Sequence, residues 1–111
     1  MINYTLDKAV KLCRLLETKA INDNKGIHFA LGGSCLMAGK SKKDFDIYVY
    51  SHSGKLVTPS DINRWMISKG FELKHEAYLF DEYDNYDIDK PFSVFEWDGH
   101  RIDLFYVSFN K

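Results

Sequence analysis

Leu31-Gly32-Gly33-Ser34 and, one short basic segment later, Asp44-Phe45-Asp46-Ile47-Tyr48-Val49 decide how this chain reads. The second stretch alternates as a strand does. Phe45, Ile47 and Val49 share one face, and Asp44, Asp46 and Tyr48 share the other. The first stretch is an apolar run, Ile27 to Leu31, that breaks at two glycines, as a buried strand does before a turn. Gly39-Lys40-Ser41-Lys42-Lys43 lies between them. These residue types fit one chemistry. Gly32 and Gly33 let the backbone approach a triphosphate that a Cβ would hold off. The amides and hydroxyl at Ser34, opening a brief helix over 34–38, favour an anion. Two carboxylates on one strand face, Asp44 and Asp46, suit a divalent ion such as Mg²⁺, which takes oxygen ligands and keeps several waters. Lys40, Lys42 and Lys43 read first as a solvated turn; beside a triphosphate they would offset its charge, Lys40 and Lys43 best.

A third carboxylate comes from distant sequence. Residues 92–97 and 100–107 flank Asp98-Gly99, the preferred two-residue hairpin turn. In that register Trp97 faces His100, Glu96 faces Arg101 and Val94 faces Asp103. Glu96, Arg101 and Asp103 then share a face. Asp103 is placed to complete a second ion site, with Glu96 in reserve. Two ions about 3.5–4 Å apart can neutralise a leaving pyrophosphate and activate an acceptor oxygen.

Two helices complete the outline. Residues 5–21 repeat apolar side chains at Leu6, Val10, Cys13, Leu16 and Ala20, with Thr5 as cap and Asp7 in the first turn. Thr58-Pro59-Ser60-Asp61 starts a second helix, with Ile62, Trp65 and Met66 as its buried stripe and Gly70 at its end. Asn22 to Gly26 is a turn, 71–80 a strand and 81–90 an acidic, Tyr-rich loop. The expected fold is α+β: a mixed, mostly antiparallel sheet with helices 5–21 and 60–69 on one face.

Bulk properties narrow the classes. The chain has 111 residues, enough for one domain (1–111) and one core. With 15 Lys plus Arg against 16 Asp plus Glu, its net charge of −1 argues against binding nucleic acid by bulk electrostatics. Two cysteines without a CxxC, Cys13 and Cys35, fit a reducing, cytoplasmic setting. No apolar run is long enough to span a membrane, and the first residues do not read as a signal peptide.

The Gly-Gly-Ser turn followed by Asp-Phe-Asp-Ile resembles the signature of the DNA polymerase beta-like nucleotidyltransferase superfamily. It is most similar to the head motif of CCA-adding enzymes, bacterial poly(A) polymerases and small stand-alone relatives. The resemblance implies a palm-like fold, with Asp44, Asp46 and Asp103 as metal ligands for Mg²⁺ or Mn²⁺ and Gly33-Ser34 as triphosphate contacts. It implies transfer of a nucleoside monophosphate from an NTP to an acceptor hydroxyl. Polymerase heads usually carry an Arg-Asp pair just after the Gly-Gly turn; Cys35, Leu36 and Met37 stand here. The acceptor therefore stays open among protein, RNA end (a tRNA included) and small molecule. The surface that larger members build for base and acceptor with a helical domain would be borrowed from a second subunit, another protein or the substrate.

Other readings compete. An antitoxin-like or inhibitor module could keep this fold without catalysis and act through a protein partner. A nucleotide sensor could bind without turnover. Asp44 and Asp46 could be a solvated strand face, and Asp103 could simply pair with Arg101. A P-loop would need glycine where Ser34 stands, and the strand at Asp44 leaves no room for its helix. The 81–89 segment lacks the glycine and final Glu of an EF-hand. The four histidines have no metal-ligand spacing, Cys35 shows no activating partner, and Trp65 and Trp97 read as core or edge aromatics.

Overall fold

The computed structural model describes residues 4–33, 39–41, 44–51, 58–76 and 92–107; the side chains of Lys40, Ser41 and Ser51 fall outside that description. The chain runs β1 (Tyr4–Thr5), α1 (Leu6–Asn22), β2 (Ile27–Gly32), β3 (Lys40–Ser41), β4 (Phe45–Ser51), α2 (Pro59–Ser68), β5 (Glu72–Glu76), β6 (Phe92–Trp97) and β7 (His100–Val107).

Both helices begin as their capping chemistry dictates. The Thr5 hydroxyl accepts from Lys8 N at 3.3 Å, and the Thr58 hydroxyl accepts from Asp61 N at 3.1 Å. Each hydroxyl satisfies an amide that has no partner within its helix. In α2, Ile62, Trp65 and Met66 are buried as the spacing predicts. In α1 the stripe is rotated from the expected one. Ala9, Leu12, Leu16 and Ala20 are buried, Val10 and Cys13 lie at the margin, and Leu6 is exposed. The sequence offers both stripes, and the buried one has alanines at two contact positions, where a small side chain allows close approach to the sheet.

The main sheet has the order β2-β4-β7-β6-β5. Three of its pairings are antiparallel, and β4 with β7 is parallel. A parallel pair cannot be joined by a tight turn. Here the connection includes α2, β5 and β6, so β7 enters between β4 and β6. The fold is thus α+β with a mixed, mostly antiparallel sheet. Apolar side chains of β4 and β7 (Phe45, Ile47, Val49, Ile102, Leu104, Tyr106) form one core with the buried stripes of both helices. Burying each large aliphatic among them contributes about 1.5–3 kcal/mol. The helices therefore cover one face, and Asp46, Tyr48, Asp103 and Phe105 lie on the other by strand alternation.

Polar contacts lock the helical layer. Asp23, after α1, accepts from Trp65 Nε1 at 2.7 Å and pairs with Lys69 Nζ at 2.6 Å, tying α1 to α2. Asn63 is buried, and its Nδ2 donates to Ser93 Oγ at 3.2 Å and Glu76 Oε2 at 3.3 Å. Its Oδ1 accepts from the Tyr106 hydroxyl, which lies 2.8 Å from Ser93 Oγ. Tyr106 has one proton and Asn63 Oδ1 has none, so Ser93 supplies the proton of the second contact.

The hairpin has the expected register, with Trp97 opposite His100, Glu96 opposite Arg101 and Val94 opposite Asp103. Asp98 and Gly99 have φ of 52° and 77°, as a type I′ turn requires. The strand expected over 71–80 is described to Glu76, with a register shift between Leu73 and His75. The remainder of that strand, the loop 81–90 and the brief helix 34–38 lie outside the described residues.

Candidate metal centre

Asp44 immediately precedes β4, Asp46 is its second residue, and Asp103 lies on β7. The parallel register makes Asp46 and Asp103 direct partners. Adjacent strands lie about 4.8 Å apart, so same-face carboxylates on partner residues are brought together. One ligand atom from each of Asp44, Asp46 and Asp103 falls within 4.8 Å of the other two. Asp44 and Asp103 are buried and Asp46 is half-buried, which removes the solvated-face alternative for Asp44.

Such a cluster is electrostatically costly. Two full charges at that separation repel by about 3 kcal/mol at an effective dielectric of about 20. Compensation is visible. Arg101 Nε donates to Asp103 Oδ1 at 2.8 Å, and Nη2 reaches Oδ2 at 3.4 Å. Burial pushes the Asp103 carboxyl above its usual range, opposed by the guanidinium and reinforced by the charge and hydrogen bond of Asp44. The Arg101 guanidinium is raised in turn, chiefly by its bond to Asp103. The ion pair with Arg101 and membership of the carboxylate cluster, weighed as alternatives for Asp103, hold together.

The Gly-Gly turn abuts this cluster. Gly33 has φ +70°, and a Cβ there would collide with the Asp46 carboxylate. Gly32 is overlain by the Tyr48 ring, which a Cβ would also strike. The turn is thus packed against the acidic strand. Ser34 and Lys43 lie outside the described residues, as does the side chain of Lys40. Glu96, held in reserve, is not in the cluster. Lys74 Nζ lies 3.4 Å from its Oε1.

Two features escaped the sequence reading. Tyr4 in β1 is buried against Phe45 and His100, with ring centroids 4.8 and 5.1 Å away, and its hydroxyl accepts from Arg101 N at 2.8 Å. With β1 paired to β3 and Leu6 N donating to Gly39 O at 2.9 Å, residues 4–6 hold the backbone of residues 39–41. An aromatic just before a helix cap was the available signal. The second is a row of rings beyond the carboxylates: Tyr48 on Phe105 at 5.0 Å, and Phe105 against Phe92 at 5.1 Å.

Three carboxylates offer hard oxygen ligands only, the donor set of Mg²⁺, Mn²⁺ or Ca²⁺ rather than of a soft metal. The cluster could hold a metal ion. No helix among the described residues is long and apolar enough to cross a membrane. No family model matches the chain, and no curated protein matches it either.

Proposed function

We propose that this domain is a minimal nucleotidyltransferase of the DNA polymerase beta-like kind, which moves a nucleoside monophosphate from an NTP to an acceptor hydroxyl. The observation that carries this reading is the convergence of Asp44, Asp46 and Asp103 within 4.8 Å, beside a glycine with no room for a side chain. The donor set fits Mg²⁺ or Mn²⁺, held by Asp44, Asp46 and Asp103. Such ions, when bound, neutralise the triphosphate and lower the pKa of the acceptor hydroxyl.

The remaining roles belong to the chain. The Gly32-Gly33 backbone, with Ser34, Lys40 and Lys43 beyond it, meets the triphosphate. Asp103 lowers the pKa of the acceptor hydroxyl, directly as a base or through the ion it would hold. In the transfer, the acceptor oxygen bonds to the α-phosphorus, the bridge to the β-phosphate breaks, and pyrophosphate leaves with its electron pair. The acceptor class stays open among protein, RNA end and small molecule.

Incubation with labelled NTPs and Mn²⁺ tests this. Wild type should bind NTP in a metal-dependent way and transfer label, and Asp44→Ala should do neither. Identical behaviour of the two proteins, without metal-dependent binding, rejects the proposal.

A further inference from the structure

We infer that Arg101 is a positioning residue of the carboxylate centre: it orients Asp103 for a cation rather than merely balancing its charge. This rests on the metal-centre reading above. The guanidinium approaches Asp103 with a fork, Nε to Oδ1 at 2.8 Å and Nη2 to Oδ2 at 3.4 Å. The short bond fixes one oxygen and the plane of the carboxylate. The longer contact leaves the other oxygen as the one that can turn to an ion. Metal-ligating carboxylates are themselves held by hydrogen bonds in this way.

The backbone of Arg101 is in turn anchored. Its backbone N–H is bonded by the buried Tyr4 hydroxyl at 2.8 Å, and its register partner across the hairpin is Glu96. Its own side chain is 48% exposed, so replacing it opens no hole in the core.

The two roles predict opposite signs. A positive charge beside a cation site weakens cation binding by repulsion, so removing a mere counter-ion tightens it. Removing an orienting fork loosens it, by about tenfold to a hundredfold. The experiment is Mn²⁺ binding to the full chain by electron paramagnetic resonance, for wild type, Arg101→Gln and Arg101→Lys, with a melting curve for each. Positioning predicts weaker Mn²⁺ binding in an Arg101→Gln protein that its melting curve shows to be folded at the temperature of the measurement. Arg101→Lys, which keeps the repelling charge but not the fork, should bind no more tightly than Arg101→Gln. Equal or tighter binding in Arg101→Gln, or wild-type affinity in Arg101→Lys, overturns the inference. Absence of Mn²⁺ binding in wild type removes the metal-centre reading, and this inference with it, which separates the two failures.

Discussion

Asp46 on β4 and Asp103 on β7 are register partners in the one parallel pair among the described strands. The pairing brings together carboxylates that are far apart in sequence, on the face opposite the two described helices. Everything proposed for the site depends on this juxtaposition, and each neighbouring contact makes a separate claim.

Gly33 should tolerate no side chain. Gly33→Ala places a Cβ against the Asp46 carboxylate and holds an L-residue at φ +70°. The backbone strain alone costs about 1–2 kcal/mol. Mn²⁺ binding should be lost beyond what that destabilisation explains. Unchanged Mn²⁺ affinity in a folded Gly33→Ala protein would show that the turn does not constrain the site.

Asp23 should give stability a defined pH dependence. Its carboxyl is held below the usual range by Lys69 first and by Trp65 Nε1 next. A depressed folded pKa stabilises fully above the unfolded value of about 3.9. That contribution disappears as pH falls through the lower folded value. Urea denaturation across this acid range should show the slope in wild type, and Asp23→Asn should flatten it. Parallel curves for the two proteins would count against the latch.

Tyr106→Phe should destabilise without touching the site. It leaves Asn63 Oδ1 and the Ser93 proton unpaired in the core. Leaving such groups unsatisfied costs about 1–3 kcal/mol. Chemical denaturation measures the loss, and Mn²⁺ binding should remain. A change near zero would mean that the Asn63–Ser93–Tyr106 contacts are not made in solution.

Much of this architecture is legible in residue order. Asp98-Gly99 sets the hairpin register, because a type I′ turn needs positive φ at both positions and admits few residues. Thr5 and Thr58 mark the helix starts through their hydroxyls. The alternation of Phe45, Ile47 and Val49 against Asp44 and Asp46 predicts a carboxylate-bearing face. Other parts are not local properties. Leu6, Ala9, Val10, Leu12, Cys13, Leu16 and Ala20 allow two apolar stripes, and only the sheet beneath chooses between them. The pairing of β1 with β3 joins two-residue segments too short to show a period. The parallel partner of β4 follows from a crossover through α2, β5 and β6, which no motif announces. Arg101 reads as a pairing partner of Asp103 by spacing alone, and its place at the centre emerges only once β7 lies beside β4.

The most direct test of the account is calorimetric titration of an NTP into wild type and Asp46→Asn, with and without Mn²⁺. The account predicts saturable NTP binding to wild type only when Mn²⁺ is present, and none to a folded Asp46→Asn protein. NTP binding that ignores Mn²⁺, or that survives in Asp46→Asn, would contradict it.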